Sequence, residues 1–298
     1  MVTQYKWSLR KGGKKLRCPQ CGQMRFVPFV LTADGRTMAG AEFGRCDREQ
    51  SCGYFRYPDK EARATVQVEP RPELPPALFT FTALNTLNYD GNSLFDAFKN
   101  LVGRERLTEA FRRYYIGTGV HGACVFPQFE GVFMRTAKAI HYGYDGHRLK
   151  DMQGEQLPVM WYHKQRDVAK YMSTHKLTQC FFGQHLLAQY PKHDVWVVEA
   201  EKTAVLMAAT DDRTGRVWLA CGGSQMLKGA IDLMPLIGRD VTLVPDDGQY
   251  WNWKRTSDAN WWRCLDIAQL KALHGLPDGC DIWDCVEDTL RKEANKWE

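Results

Sequence analysis

No apolar run in this sequence approaches the ~18–20 residues needed to span a bilayer. Its start, Met1-Val-Thr-Gln-Tyr-Lys-Trp7, has no apolar core of a secretory signal. A membrane-spanning or exported protein is therefore not expected, and a cytoplasmic one is. No Gly-x-x-x-x-Gly-Lys-Ser/Thr occurs, which excludes a P-loop ATPase. His-Glu-x-x-His and the zinc-deaminase signature are also missing, which removes two large classes of zinc enzyme. There is no internal repeat and no low-complexity tract. With 44% hydrophobic and 25% charged residues the composition is close to the globular average, so disorder is not expected either. The 298 residues suffice for two domains, or for one domain and a small module.

What the chain does have is ten cysteines. In a chain that is not exported these argue for metal binding or plain thiols over a disulfide framework. Cys18-Pro-Gln-Cys21 and Cys46-Asp-Arg-Glu-Gln-Ser-Cys52 form two pairs, with Gly22 and Gly53 directly behind them. A glycine there lets the backbone turn tightly around the sulfurs. Between the pairs, Phe26-Val-Pro-Phe-Val-Leu31 and Asp34-Gly35 read as a hairpin. Four thiolates around one Zn²⁺ make a closed tetrahedral site with no position left for water, hence a structural staple and not a catalyst. The other six cysteines (Cys124, Cys180, Cys221, Cys264, Cys280 and Cys285) lack paired-ligand spacing and read mostly as packing thiols.

Charge is unevenly spread. Residues 1–60 carry 12 Lys/Arg against 5 Asp/Glu (+7), residues 245–298 carry 7 against 11 (−4), and the middle carries 21 against 19 (+2), for a net +5. A basic head on a near-neutral body fits a polyanion such as nucleic acid, and equally fits a charge that only confers solubility. After the cysteine-rich head, residues 70–76 hold four prolines, a pattern that favours extended polyproline conformation and reads as a linker.

Beyond it, Asn92-Ser93 is placed to cap a helix through Leu94, Phe95, Phe98, Leu101 and Val102, and a second helix is expected from about Glu105 to Tyr115. Phe126–Arg135 reads as two strands around a Glu130-Gly131 turn. From Val195 the pattern changes. Val195–Val198, Val217–Cys221 and Val241–Val244 are short apolar runs separated by helical stretches, including one around Gln225–Leu236. Such alternation means βαβ units and a buried parallel sheet.

Three features fall at the expected carboxyl ends of these strands: Glu199, Gly222-Gly223 and Asp246-Asp247. Ligands bind at that edge in open α/β sheets. Oxygen-only donors suit Mg²⁺ or Mn²⁺ shared with waters and phosphates, and a glycine pair admits a phosphate to the backbone. Taken singly, each acid reads more readily as a helix-start or turn residue, and it is the three together that point to a site.

Val197-Val-Glu199-Ala-Glu-Lys-Thr-Ala204, Gly222-Gly223 and Val241-Thr-Leu-Val-Pro-Asp246-Asp247 together resemble the toprim domain of bacterial DnaG-type primases, topoisomerases and some nucleases. Val125–Gly131, the basic residues Arg135, Lys138, Arg148 and Lys150, and Cys180-Phe-Phe-Gly183 follow the order of the primase polymerase core. Asp281-Ile-Trp-Asp284 looks like the acidic motif after the toprim sheet. A zinc module at the head also matches primases, and the whole is most similar to small primase-like proteins of plasmids and conjugative transposons.

The resemblance implies an α/β fold: a Rossmann-like toprim sheet in a primase-type core, behind an N-terminal zinc ribbon. Its domains would be a DNA-binding zinc ribbon (1–62), a proline-rich linker (63–82), a helical and β-rich first part of the core (83–193) and a toprim domain with a C-terminal helical extension (194–298). It implies a DNA-directed nucleotidyltransferase that makes primers on single-stranded DNA from nucleoside triphosphates, beside a separate replicative helicase. Glu199 would be the toprim glutamate and Asp246 the first metal-binding aspartate for Mg²⁺ or Mn²⁺. Cys18, Cys21, Cys46 and Cys52 would hold Zn²⁺.

The sequence departs from the family where Asp-x-Asp is replaced by Asp246-Asp247-Gly248. Side chains alternate along a strand, so adjacent aspartates point apart unless the strand ends at Pro245 and Asp247 turns inward. Arg135, Lys138, Arg148 and Lys150 would contact template phosphates, and Lys202, Gly222 and Gly223 a nucleotide. Arg135 and Lys138 on one strand would face opposite sides. Trp251, Trp253, Trp261, Trp262 and Trp283 are stacking candidates that read more readily as core. Two other readings remain open: a DNA-binding accessory protein for replication or mobilisation with a decayed site, and a toprim nuclease.

Overall fold

A computed structural model describes residues 2–48, 51–58, 65–68, 73–80, 89–211 and 215–296. The chain divides into two compact units, Met1–Glu73 and Leu74–Glu298.

The first unit is built from β1 (Val2–Tyr5), β2 (Trp7–Leu9), β3 (Phe26–Leu31), β4 (Gly44–Cys46), β5 (Phe55–Arg56) and β6 (Thr65–Val68). β2-β3-β4-β5 form an antiparallel sheet in that order, and β1 pairs with β6. The unit is too small for an ordinary core: Phe26 and the cysteines pack with Leu16 and Tyr54, and little else is fully covered. Gly44 is required by this packing, since a Cβ there would lie 2.3 Å from the Val27 carbonyl oxygen. The stretch read as a linker (63–82) contains β6, whereas residues 63–64, 69–72 and 81–82, with Pro70 and Pro72 among them, lie outside the described residues.

The second unit opens with α1 (Ser93–Val102) and α2 (Arg104–Arg113). Asn92 caps α1 as expected, its side chain accepting from the Leu94 and Phe95 amides at 3.1 and 3.2 Å. Such a cap contributes about 1 kcal/mol. Leu94, Phe95, Phe98 and Val102 fall on its buried stripe.

Next come β7 (Gly117–Thr118), β8 (Cys124–Glu130), β9 (Phe133–Ile140) and β10 (Met160–Trp161), an antiparallel sheet in the order β10-β9-β8-β7. The β8–β9 hairpin turns at Glu130-Gly131, the position expected from sequence, with Gly131 at φ +57°. Short helices α3 (Ala169–Met172) and α4 (Leu186–Gln189) lead to the second sheet.

That sheet consists of β11 (Asp194–Val198), β12 (Arg216–Ala220), β13 (Val241–Leu243) and β14 (Arg263–Cys264), all parallel, in the order β12-β11-β13-β14. Its helices are α5 (Glu201–Thr210), α6 (Tyr250–Ala259), α7 (Ala268–His274) and α8 (Ile282–Ala294). The strands are covered: Val195, Val197, Val217, Leu219, Val241 and Leu243 are all buried, which is why they read as continuous apolar runs. Chain order reverses between β11 and β13, since β11 leads to β12 on one side and β13 to β14 on the other. A crevice forms at such a reversal, outside the carboxyl ends of the strands.

The Cys180–Gly183 segment extends this sheet, Phe182 and Ala220 exchanging backbone hydrogen bonds of 2.9 and 3.1 Å. Gly183, at φ +82°, lets it pass 2.8 Å (Cβ position to ring carbon) from Tyr114.

The helix expected around Gln225–Leu236 does not form. Two single 3₁₀ turns, Met226–Lys228 and Met234–Leu236, stand there instead. Gly229 takes a left-handed φ of +99°, and Pro235 has no amide to continue a helical ladder.

Candidate metal centre and acidic sheet edge

In the first unit, Cys18, Cys21, Cys46 and Cys52 bring their sulfurs within 4.8 Å of one another, the one group of three or more metal-ligating side chains so gathered among the described residues. Cys18 Sγ lies 3.8 Å from Cys52 Sγ, and Cys21 Sγ 3.9 Å from Cys46 Sγ. Four sulfurs at ~2.3 Å from a tetrahedral zinc stand ~3.8 Å apart, and these two separations match that spacing. Both turns are built from backbone: Cys18 N donates to Gln23 O at 2.8 Å, Gly22 N to Cys18 O at 3.0 Å, and Cys52 N to Arg48 O at 2.8 Å. Gly22 (φ +70°) and Gly53 (φ +66°) take the left-handed conformation that the sequence anticipates. A Lys15–Asp47 ion pair lies next to Cys46.

In the second unit, Glu199 follows β11, Gly222-Gly223 follows β12 and Asp246 follows β13, so the parallel strands deliver all three to one edge. The Glu199 carboxyl is pushed up by burial, with Asp281 and Glu201 adding to the rise and the Ser224 backbone and Lys138 opposing it. Asp246 is perturbed more: burial, then Asp281, Glu199 and Asp284, push it to about 8 against a partial offset from Lys202. Asp281 caps α8, accepting from the Trp283 and Asp284 amides at 2.8 and 3.1 Å, and accepts from Thr203 Oγ1 at 2.5 Å. Its own pKa is raised by burial and by Asp284.

Glu199, Asp246, Asp281 and Asp284 thus share one field with Lys202, and carboxyls outnumber cations there once Lys138 is set against Glu201. Oxygen donors with uncompensated charge at a half-open edge fit a hard divalent cation that keeps some of its waters.

Asp247, adjacent in sequence, goes elsewhere. The strand ends at Leu243, and the Asp247 carboxylate accepts from Lys271 Nζ at 2.6 Å and from the Gly279 amide at 3.1 Å, which holds its pKa below the usual range. Asp281 stands where a third acid of the edge is needed. It was legible as part of an acidic motif, but no local spacing shows that Thr203 and the start of α8 carry it to Asp246.

The basic residues separate. Lys150 is exposed. Arg148 donates to Gln156 Oε1 and the Leu157 carbonyl at 3.0 and 2.5 Å. Arg135 pairs with Glu130 across the hairpin turn and is largely covered. Lys138 is buried, 2.7 Å from Glu201 Oε1 and donating to the Gly222 carbonyl at 2.8 Å. Lys202 opens α5 with its ammonium 3.4 Å from the Gly146 carbonyl. Gly222 is at φ +83° and Gly223 at φ +157°.

Of the tryptophans, Trp253 and Trp283 are core and Trp262 packs beside it, whereas Trp251 and Trp261 are 77% and 96% exposed. No described helix is long and apolar enough to cross a membrane.

No curated protein matches the chain. The primase fragment of the bacteriophage T7 primase-helicase protein aligns over 98% of this chain and 99% of its own, at 13% identity and a TM-score of 0.36, a likeness too slight to decide the fold. A family model described as a zinc β-ribbon finger matches residues 5–67, the region of the four cysteines. A second model covers 156 of the 298 residues, from the cap of α1 to the acids after β13. By that match over residues 92–247, the chain belongs to the family described as a domain of unknown function, DUF6371.

Proposed function

We propose that the protein is a DNA primase-like nucleotidyltransferase that works on single-stranded DNA and nucleoside triphosphates. The observation that carries this reading is that Glu199 and Asp246 follow neighbouring parallel strands at the strand-order reversal, with Asp281 close enough to raise both carboxyls. The toprim-like order of these residues supports it, and the zinc ribbon supports a nucleic-acid role.

In primer synthesis a 3′-hydroxyl attacks the α-phosphorus of a triphosphate, the bond to the β-phosphate oxygen breaks and pyrophosphate leaves. Mg²⁺ or Mn²⁺ bound at such an edge would supply charge neutralisation for the phosphates. The chain's own groups do the positioning. Glu199, Asp246 and Asp281 offer oxygens of one charge, and Lys202 offers a cation to a phosphate. The Gly222-Gly223 turn, with its positive φ angles, would offer backbone to a phosphate.

The zinc ribbon and Lys150 would meet the template backbone, so binding should weaken with salt. A separate helicase would open the duplex.

The test is primer synthesis from labelled nucleoside triphosphates on single-stranded DNA. Glu199→Gln and Asp246→Asn should each reduce product by at least about a hundredfold, the scale expected when charge stabilisation of the transition state is lost. Equal product from all three proteins would remove the assignment.

One observation favours a second reading, a DNA-binding accessory protein with a decayed site: Asp247 is committed to Lys271 and Gly279. That reading expects salt-sensitive DNA binding with no synthesis and no acid-dependent metal binding. Nicking of plasmid DNA would instead indicate the nuclease.

A further inference from the structure

Lys138 and Glu201 form the most deeply buried ion pair described in the molecule, with side chains 8% and 4% exposed and 2.7 Å between Nζ and Oε1. They come from a strand and a helix. Lys138 lies on β9, opposite Phe126, and Glu201 is the first residue of α5. Burying two charges is costly, and a pair of this kind is weak as a source of stability. Its surroundings give it another use. The same ammonium donates to the Gly222 carbonyl at 2.8 Å. Gly222 N in turn donates to the Glu199 carbonyl at 2.8 Å, and the Ser224 backbone lies close enough to the Glu199 carboxylate to favour its charged form. The turn after β12 is thus clamped on one side by Lys138 and grips Glu199 on the other.

The turn has no room for a side chain. A Cβ on Gly222 would stand 3.0 Å from both Lys138 Nζ and Glu201 Oε1, at a φ of +83° that L side chains rarely adopt. Gln128, fully buried on β8, has its Nε2 3.7 Å from the same point, and neither of its amide atoms has a partner among the described residues. The seam here is therefore polar, and one hydrogen bond of the Lys138 ammonium runs to the turn.

We infer that Lys138 and Glu201 are positioning residues: the pair holds the Gly222–Ser224 turn, and through it sets the Glu199 carboxylate at the acidic edge. Lys138 then acts inside the protein and not on template phosphates. The inference rests on the proposed metal-binding role of Glu199, and it has a consequence that does not involve metal.

The experiment uses the full zinc-loaded chain and the double variant Lys138→Met/Glu201→Gln, which removes both charges together and leaves no unpaired one. Amide hydrogen exchange is followed residue by residue, and Mn²⁺ affinity is measured by electron paramagnetic resonance. The Gly222 and Ser224 amides should exchange at least about tenfold faster, with α1 unchanged, and Mn²⁺ should bind at least about tenfold more weakly. Unchanged exchange at Gly222 and Ser224 in the folded double variant overturns the inference. If the parent protein binds no Mn²⁺, the metal reading fails, and the exchange rates alone decide the positioning role. If the double variant does not fold, Gly222→Ala decides from the side of the turn: faster exchange at Ser224 supports the clamp, and parental exchange rejects it.

Discussion

The two units each gather metal-type donors, and they do so in opposite ways. The cysteine cluster is closed: four sulfurs lie within 4.8 Å of one another, two pairs of them at zinc-site spacing, on backbone turns with two left-handed glycines. The acidic edge is open. Its carboxylates repel one another, Asp246 is driven to about 8, and the charge excess is left uncancelled by Lys202. A site made to hold a fold together satisfies its donors completely. A site made to take a charged, exchangeable substrate keeps them frustrated. In the first unit the metal replaces a core that the chain is too short to build. In the second, an extended apolar core underlies the acidic edge.

The largest effect should come from the closed site. Removing zinc by chelation, or Cys18→Ser, should abolish the ordered structure of residues 2–58, because binding energy on the order of 10 kcal/mol is folding energy there. The second unit should retain its cooperative thermal transition. Circular dichroism and zinc content check this, and survival of β2–β5 without zinc would break the contrast.

A smaller effect should distinguish the open site. The folded-state pKa of Asp246 lies above its unfolded value of ~3.9, so between the two the folded chain holds more protons. Stability of the second unit should therefore fall as pH rises from about 4 towards 8, with no Mg²⁺ or Mn²⁺ added. Asp246→Asn should flatten that slope and raise the thermal midpoint at pH 8 by a few degrees. A midpoint equally steep in pH for both proteins would mean that the edge is not electrostatically strained.

Reading the sequence alone succeeded where structure is local. Cys18 and Cys21 pair by spacing, Asn92 is a cap because the amides it accepts from are two and three residues on, and the strands ending at Val198, Ala220 and Leu243 are mostly apolar because they are largely covered. The Glu130-Gly131 turn is equally local.

What was not legible depends on distant partners. Lys138 looked like a surface cation until Glu201, 63 positions later, took it inside. Arg135 and Glu130 pair across a turn that the sequence did reveal, but their neutralisation required the hairpin register. Asp247 versus Asp281 is the clearest case. Two adjacent acids after a strand compete for the same edge, and only Lys271 and Gly279 on one side, and Thr203 on the other, decide which acids face it. The Gln225–Leu236 stretch had apolar residues at helical spacing, and the local chemistry of Gly229 and Pro235 prevailed over it.

The central claim is that Glu199, Asp246 and Asp281, and not Asp247, make a site for one divalent cation. Mn²⁺ stoichiometry on the zinc-loaded chain tests it most directly, by electron paramagnetic resonance on the parent protein and on Glu199→Gln, Asp246→Asn, Asp281→Asn and Asp247→Asn. The account predicts one Mn²⁺ per chain, affinity at least about tenfold weaker in the first three variants, and affinity within about threefold of the parent in Asp247→Asn. No Mn²⁺ bound to the parent, or a loss in Asp247→Asn as large as in Asp246→Asn, would contradict it.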